Sequence, residues 1–271
     1  MTNETQKITK IQAQKRPGRY NVYLNDKYAF PINEETFIHF RLSKGMEVTK
    51  HLIEKINDFD NMAQAYNKAL TYLTRQLRTQ KEVEMKLKQL SFSDEVIEQV
   101  IAKLLDLRLL NDGEYAKSYV RTMMKTSDKG PQYIIGHLRQ KGVLENDIEN
   151  ALELFDDDSQ VATALKVGQK MAEKNQKLAV RQQILKIKQR LLNKGFRGDV
   201  IEQAIQQLDL KGDPDLQNQA MLKITAKILR KNHGVPDYQK MQKIKQALYQ
   251  KGYDSSQIEI FMADNVNLDE D

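Results

Sequence analysis

The side chains whose type and spacing suggest chemistry in this sequence are its lysines and arginines. Residues 166–197 include ten basic residues and a single acid, Glu173. A second block, residues 221–252, holds eight basic residues and the acid Asp237. Blocks of one charge sign indicate binding partners more directly than the net charge does. Positive blocks favour contact with nucleic-acid phosphates, with an affinity that falls steeply as the salt concentration rises.

Residue sets that could support catalysis are missing. The sequence has no cysteine, which excludes disulfides, thiolate zinc sites and cysteine nucleophiles. The four histidines lack metal-ligand spacing, because the closest two, His39 and His51, are twelve residues apart. Asp156, Asp157 and Asp158 could chelate Mg²⁺, but such a run is more typical of a solvated connector. Since no phosphate-binding loop, dinucleotide fingerprint, nucleophile elbow or zincin motif is present, we expect a protein that is not an enzyme and uses no cofactor or metal.

Composition narrows the class of protein further. The 271 residues carry 43 Lys+Arg and 37 Asp+Glu, a formal net charge of +6. Glycine (12) and proline (5) are too sparse for a β-sandwich, a barrel or a disordered linker. No apolar run approaches the roughly 18 residues of a membrane span, and the first ten residues lack the apolar core of a signal peptide. We expect a soluble intracellular protein, a monomer of about two domains or of one elongated array.

The first sixty residues predict strands. The alternation of Tyr20, Val22 and Leu24 is typical of a half-buried strand. The predicted elements are strands at residues 7–14, 19–24 and 28–30, a turn at Pro17 and Gly18, a hairpin loop at Asn25 and Asp26, and a short helix at residues 34–40. So small a sheet is not stable alone and should pack on the helical part of the chain.

Alternation also places Tyr20 and Tyr23 on opposite faces of that sheet. Exposed aromatic and lysine side chains on one face could contact single-stranded nucleic acid. We interpret Tyr20, Tyr23 and Tyr28 instead as packing residues.

From about residue 61 the sequence predicts helices that repeat. Apolar anchors at steps of five, five and four residues recur in four copies, with periods of 51, 53 and 57 residues. The four sets are Leu87-Phe92-Ile97-Ile101, Leu138-Val143-Ile148-Leu152, Leu191-Phe196-Ile201-Ile205 and Leu248-Tyr253-Ile258-Met262. A Lys-Gly pair precedes the second anchor in the last three copies, and its glycine can end a first helix in the left-handed conformation. The aromatic or valine anchor then plugs the bend, and a second and a third helix come after it.

Capping residues and helix lengths complete the repeat. The predicted caps are Ser93, Thr79 with Glu82, Asn111 with Glu114, and Ser256 with Glu259. The predicted third helices are residues 115–125, 160–174 and 216–231, and residues 61–75 resemble a third helix without its first two. The predicted domains are a strand-rich segment (1–60), a leading helix with repeat 1 (61–126), repeat 2 (127–175), repeat 3 (176–232), and a truncated repeat 4 with an acidic tail (233–271).

This pattern predicts a mostly α-helical fold. Tandem three-helix repeats would form an elongated, curved array with a small N-terminal β-meander. The alternative is a set of ordinary helical hairpins that share leucine spacing.

Basic residues recur on the first helix of every repeat, and this recurrence defines the candidate contact residues. They are Arg78, Lys81, Lys88, Arg139, Lys141, Lys186, Lys188, Arg190, Lys194, Lys243 and Lys245, and Arg75, just before the first of these helices, is added to them. The other interpretation is a set of solvated helix faces, because lysine is favoured near helix C-termini by the macrodipole.

Several strings in this order resemble the RecX family of bacterial regulatory proteins. The first is the segment at residues 72–79, with Arg75, Arg78 and Thr79. The second is Asn111-Asp112-Gly113-Glu114-Tyr115-Ala116, the third Lys129-Gly130-Pro131, and the fourth Leu138-Arg139-Gln140-Lys141-Gly142-Val143. The resemblance is strongest over residues 61–154. The chain departs from the family at Leu77, where proline is frequent, and in carrying a strand-rich N-terminus and a truncated fourth repeat that shorter members lack.

The resemblance implies a modulator of the RecA recombinase that acts in the cytoplasm without a cofactor. Family members bind the RecA–DNA filament along its groove and usually inhibit strand exchange and ATP hydrolysis. The expected partners are therefore the RecA filament and single-stranded DNA, with double-stranded DNA as a further candidate, in DNA repair, recombination and the SOS response. The alternative is a sequence-independent nucleic-acid-binding repeat protein that does not act on RecA.

Overall fold

The computed structural model describes residues 5–15 and 17–266, and its fold is mostly helical with a small N-terminal sheet, as the sequence predicts. The strands are β1 (Thr5–Ala13), β2 (Arg19–Leu24), β3 (Lys27–Asn33) and β4 (Glu47–Thr49). The helices are α1 (Glu34–His39), α2 (Lys50–Leu73), α3 (Gln80–Gln89), α4 (Asp94–Asp106), α5 (Asp112–Thr126), α6 (Pro131–Gln140), α7 (Glu145–Leu152), α8 (Asp157–Lys174), α9 (Val180–Asn193), α10 (Gly198–Gln206), α11 (Pro214–Lys231), α12 (Asp237–Gln250) and α13 (Ser255–Asn265). Of the predicted acidic tail, Asp264 lies in α13, whereas Asp269, Glu270 and Asp271 lie outside the described residues.

The chain divides into two compact units. One comprises Met1–Ala116 with Arg139–Asp147, and the other comprises Lys117–Leu138 with Ile148–Asp271. None of the helices in residues 5–15 and 17–266 is both long and apolar enough to span a membrane.

The N-terminal strands form an antiparallel sheet in the order β3-β2-β1-β4. Asn25 and Asp26 both have positive φ (47° and 66°), which is the geometry of the predicted two-residue hairpin loop. β4 was not predicted, because three residues are too few to show a strand period. The tyrosines divide between the faces as alternation requires: Tyr20 stacks on Phe37 in the sheet's core, whereas Tyr23 contacts the exposed Tyr28.

A buried carboxylate fastens this sheet to helix α2. Asp60, 4% exposed, accepts hydrogen bonds from the Asn33 backbone N–H (2.6 Å) and from the Thr36 hydroxyl (2.9 Å). The Arg19 guanidinium lies 3.5 Å from the same carboxylate. Because charge-assisted hydrogen bonds to a buried carboxylate are strong, the sheet is held against the first long helix, as expected.

Helix α2 is longer than the sequence predicted. It begins at Lys50 rather than at residue 61, with the Thr49 side chain accepting from the Leu52 backbone N–H at 3.2 Å. Its first turns contribute Ile56 and neighbouring apolar residues to the sheet core, and its later turns contribute Ala65 and Ala69 to the first helical core. Helix α2 therefore contributes to two cores, and no break in its apolar periodicity marks where the sheet core ends and the first helical core begins.

Each helical core groups a long helix with the two shorter helices that come after it. The first core joins α2, α3 and α4, the next α8, α9 and α10, and the last α11, α12 and α13. The leucine anchors Leu87, Leu138, Leu191 and Leu248 are all fully buried. The predicted plugs Phe196 and Tyr253 are also buried, and Phe92 is half-buried against its core.

The turns that end the first helices have the predicted left-handed geometry. Gly142, Gly195 and Gly252 have φ of 83°, 88° and 89°, and Ser91 takes this place in the first copy with φ of 63°. The caps at Ser93 and at Thr79 with Glu82 are confirmed. The predicted box of Ser256 with Glu259 is wrong: Asp254 caps α13 and forms the box with Gln257. An aspartate two residues upstream starts the helix earlier and turns Ser256 into a donor to Asp254, at 2.7 Å.

Candidate nucleic-acid interface

The Lys-Gly turns form a recurring contact between helices, which we call a joint. In each joint the turn that ends one first helix packs on the N-terminus of an earlier first helix: α6 on α3, α9 on α6, and α12 on α9. Because a helix N-terminus has unsatisfied backbone N–H groups and a turn has free carbonyls, the two ends are complementary.

The first joint contains an ion pair between repeats. The Lys141 ammonium lies 2.7 Å from a Glu82 carboxylate oxygen, and the Thr79 hydroxyl donates to the Lys141 carbonyl at 2.8 Å. Burial disfavours the charged form of Glu82, but hydrogen bonds from Lys141 and from the Thr79 backbone hold the pKa of that carboxyl below its ordinary value. The same hydrogen bond raises the pKa of Lys141.

The second joint repeats the arrangement with different residues. The Gly130 backbone N–H donates to the Lys194 carbonyl (2.8 Å), and the Gln132 N–H donates to that of Gly195 (3.0 Å). Lys194 is 5% exposed, and its ammonium pairs with Asp128, whose pKa the hydrogen bond lowers. A Cβ on Gly130 would lie 2.5 Å from the Gly195 backbone, so only glycine fits there. This accounts for Gly130 in the Lys129-Gly130-Pro131 string.

A basic cleft lies beside the second joint, within one compact unit. Its volume is about 620 Å³, and helices α5, α8 and α9 line it. The cations that line it are Lys125, Lys166, Lys170, Lys174, Arg190 and Lys194, and the single acid is Asp128. Because Lys194 is already paired with Asp128, five cations remain available to an anion.

Helix α8 supplies the regular part of this cleft. Lys166, Lys170 and Lys174 stand four residues apart, so they share one face of the helix. Together they present a row of positive charge about two turns long. Such a row matches the repeating phosphates of a nucleic-acid strand, and the cleft lining includes no aromatic ring on which a base could stack. The geometry therefore favours contact with the backbone over contact with bases.

The described residues contain no group of three or more histidine, cysteine, aspartate or glutamate side chains that could hold a metal ion. The cleft itself is lined by cations, threonine, serine, methionine and valine around Asp128. This lining can bind an anion but offers no nucleophile–base pair.

Four family models match the chain. They are described as the N-terminal domain of regulatory protein RecX (residues 6–49) and the first (65–104), second (111–152) and third (157–205 and 215–262) three-helix domains of RecX. "Regulatory protein RecX" of Levilactobacillus brevis is 45% identical over 257 residues, which is 95% of this chain and 97% of the relative. The chain belongs to the RecX family. A protein of the same description from Bacillus subtilis is 36% identical over 93% of this chain and 96% of its own.

Solved RecX structures share the fold. A crystal structure of regulatory protein RecX matches 74% of this chain and 100% of its own, with 42% identity and a TM-score of 0.66. A structure of RecX from Lactobacillus salivarius matches 56% of this chain and 98% of its own, with 48% identity and a TM-score of 0.55.

In this RecX-family chain, half of the candidate contact residues are bound to acids. Each of the six makes an ion pair within its own unit: Arg78 with Glu82 (3.6 Å), Lys88 with Asp94 (3.0 Å), Arg139 with Glu145 (2.6 Å), Lys141 with Glu82 (2.7 Å), Lys188 with Glu202 (2.9 Å), and Lys194 with Asp128. Arg78 also lies over the Tyr72 ring, 4.2 Å from its centroid. The Arg78, Lys141 and Lys194 side chains are the least exposed, and they have a structural role in the joints or beside them.

The other six candidates have no acid within 4 Å among the residues that the structure describes. They are Arg75, Lys81, Lys186, Arg190, Lys243 and Lys245, all exposed. Lys81 donates to the Gln140 carbonyl at 3.1 Å, and Lys243 donates to Asn232 at 2.6 Å. Of this set only Arg190 lines the basic cleft. Contact of any candidate with DNA or RecA stays a prediction.

Sequence reasoning missed four lysines of the cleft. Lys125 lies on the long helix α5, and Lys166, Lys170 and Lys174 lie on α8, whereas the recurrence of basic residues pointed to the shorter first helix of each predicted repeat. The four-residue spacing on α8 is the signal that could have found three of them. Leu77, the departure from the family's frequent proline, is exposed in the turn before α3.

Proposed function

We propose that this chain is a non-enzymatic regulator that binds RecA–DNA filaments and modulates, mostly by inhibition, the recombinase and ATPase activity of RecA. The observation that supports it most is the RecX-family match along nearly the whole chain, with curated relatives named regulatory proteins. The protein would act in the cytoplasm, in DNA repair and recombination and in the SOS response.

The basic cleft supports the nucleic-acid part of this function. A strand of the filament's DNA would lie along α8, its phosphates neutralised by Lys166, Lys170 and Lys174, and Arg190 of α9 would add a further cation. Release of condensed counterions would drive this contact, so its strength would depend on salt and little on sequence. Single-stranded DNA fits this chemistry, and double-stranded DNA carries the same phosphates.

A second candidate function is supported by the same cleft. A polyanion site without base-reading groups is sufficient for a sequence-independent nucleic-acid-binding protein that does not act on RecA. DNA binding alone does not separate the two functions, because a filament modulator can bind bare DNA as well. Dependence of the effect on RecA does.

The deciding experiment measures the rate of ATP hydrolysis by RecA on single-stranded DNA while this protein is titrated in. The RecA should come from the same organism as this protein. Inhibition at well below one protein per RecA is the expected result, and it favours capping or disassembly of filaments. No effect at excess protein, with DNA binding retained, would leave the second candidate. The matched control is the double variant Lys166→Glu/Lys170→Glu, which reverses charge in the basic cleft and leaves the ion pairs of the first and second joints in place.

A further inference from the structure

The third joint lacks the acid that completes the other two. In the first two joints the lysine of the Lys-Gly turn pairs with an acid, Glu82 for Lys141 and Asp128 for Lys194. In the third joint Gly252 packs on Arg181 and Gln182 of α9, so the backbone contact is retained. Lys251, however, has no acid within 4 Å among residues 5–15 and 17–266. The repeat thus supplies its own comparison: among the described residues, the lysine of the turn has an acidic partner in two joints and none in the third.

Both places that could hold the missing acid are occupied by other residue types. Glu82 is the third residue of α3, and the third residue of α9 is Gln182. Asp128 stands three residues before the first residue of α6, and Lys177 stands at that distance before α9. In the third joint, Lys177 therefore stands where the second joint has the acid Asp128. This joint thus has two positive charges, those of Lys177 and Lys251, and no acid at either place.

A cavity of about 550 Å³ opens at this joint, and we call it the joint cavity. Four lysines and no acid line it: Lys177, Lys186, Lys223 and Lys251. Its other walls are mainly apolar, formed by Leu178, Ala179, Leu216, Ala220 and Ile224. Like charges gathered around an apolar surface repel one another, and an anionic ligand would relieve that repulsion while it covers the apolar wall.

The lining favours a peptide over a nucleotide. The one aromatic residue in the lining, Tyr253, is 4% exposed and packs in the core of α11, α12 and α13, so a base finds no exposed ring to stack on. Aliphatic side chains suit the leucine or phenylalanine of a peptide, and ammonium groups suit its carboxylates.

We propose that the joint cavity binds an acidic peptide segment of a partner protein, with carboxylates on Lys223 and Lys251 and an apolar side chain against Leu178 and Ile224. The partner's acid would supply in trans the ion pair that Glu82 and Asp128 supply within the chain. This site is separate from the basic cleft, since the two share no lining residue. It does not depend on the proposed action on RecA.

The test is fluorescence anisotropy of the full chain with a labelled peptide, Asp-Asp-Glu-Leu-Phe, and no RecA or DNA present. Lys223→Glu/Lys251→Glu should weaken peptide binding about tenfold or more, because two ion pairs become two repulsions. Lys166→Glu/Lys170→Glu, with the same charge change in the basic cleft, should bind the peptide nearly as the wild type does.

A second variant separates loss of the site from loss of the fold. Lys177→Asp places an acid where the second joint has Asp128, so it should pair with Lys251. We expect this variant to lose peptide binding while its thermal midpoint stays equal to the wild type's or rises. If the variant loses peptide binding and is as stable as the wild type or more so, unfolding cannot be the cause of the loss.

Three results would overturn the proposal. The first is equal binding of the amide peptide Asn-Asn-Gln-Leu-Phe, which would show that charge is irrelevant. The second is a Lys223→Glu/Lys251→Glu variant that loses affinity for a poly-dT oligonucleotide and keeps its affinity for the peptide. The third is peptide binding only after Asp269, Glu270 and Asp271 are changed to amides, which would mean that the chain's own tail fills the cavity.

Discussion

The Lys141 ammonium and the Glu82 carboxylate lie 2.7 Å apart, although 59 residues of sequence separate them. Lys141 follows the end of one first helix and Glu82 lies in the first turn of another, so this ion pair, together with the hydrogen bond from the Thr79 hydroxyl to the Lys141 carbonyl, joins two helix ends that are distant in sequence. The pair is partly shielded, with 31% and 15% of the two side chains exposed. Arg78 lies 3.6 Å from the same carboxylate and reinforces it.

Glu82→Gln should therefore lower the free energy of unfolding by about 1 kcal/mol, since Lys141 loses its partner at a partly shielded site. The control is Asp94→Asn, which removes the acid from the exposed Lys88 pair and should change stability little. Urea denaturation of both variants measures the two losses of stability. Equal losses would mean that the ion pair in the joint stabilises the fold no more than an exposed surface pair does.

The same pair sets a dependence on pH. The folded pKa of Glu82 lies below its ordinary value of 4.5, so its contribution is complete above that pH and is lost as the pH falls through the folded pKa. The folded pKa of Lys141 lies above 10.5, so its contribution is complete below that pH and is lost as the pH rises further. The stability gap between wild type and Glu82→Gln should be flat between about pH 5 and 10 and shrink in acid. A gap that grows in acid would contradict the assignment.

Gly195→Ala tests the backbone of the second joint. Gly195 has φ of 88°, and a Cβ there would lie 2.7 Å from the Tyr133 backbone nitrogen. We expect a loss of about 1–3 kcal/mol from left-handed strain, with more if the joint opens. Gly136→Ala is the matched control, because Gly136 lies inside α6 with open space around it and should gain about 0.5–1 kcal/mol. Thermal denaturation of the two variants should shift in opposite directions.

The ion pair of Lys194 with Asp128 joins a buried cation to an exposed acid, so removing one partner should cost more stability than removing the other. Lys194 is buried, whereas 58% of the Asp128 side chain is exposed. Asp128→Asn leaves an uncompensated ammonium in the interior and should cost about 1–3 kcal/mol. Lys194→Met puts an apolar group in the same space and leaves Asp128 in water, so it should cost less. A double-mutant cycle by urea denaturation measures the coupling, and equal costs for the two single changes would contradict this account.

Local signals account for the elements that the sequence predicted well. Gly195 is a turn former at the end of a helix, and Asn25 with Asp26 form a two-residue hairpin loop, so each is recognisable from its neighbours alone. The cap at Ser256 was wrong because Asp254 accepts from the Gln257 backbone N–H and starts the helix two residues earlier, so Ser256 already lies inside α13.

Contacts between residues far apart in the sequence could not be predicted in the same way. The partner of Lys141 is 59 residues away, and nothing near it in sequence points to Glu82. The basic cleft combines Lys125 of α5 with lysines of α8 and Arg190 of α9, which only packing brings together. The density of basic residues predicted the positive block at residues 166–197, but only the packing of the helices determines which of those residues line the basic cleft.

The cleft makes a quantitative prediction about salt. Each phosphate neutralised on a single strand contributes about −0.7 to the slope of log binding constant against log salt. Lys170 is exposed in the middle of the row on α8, so Lys170→Ala should weaken binding to a poly-dT oligonucleotide and make the slope shallower by about 0.7. Lys188→Ala is the comparison, because the Lys188 ammonium lies 2.9 Å from Glu202 and does not line the cleft. Anisotropy titrations at several salt concentrations give both slopes. If Lys188→Ala changes the slope and Lys170→Ala does not, the DNA lies along the first helices rather than along α8, as the recurrence of basic residues in the sequence first indicated.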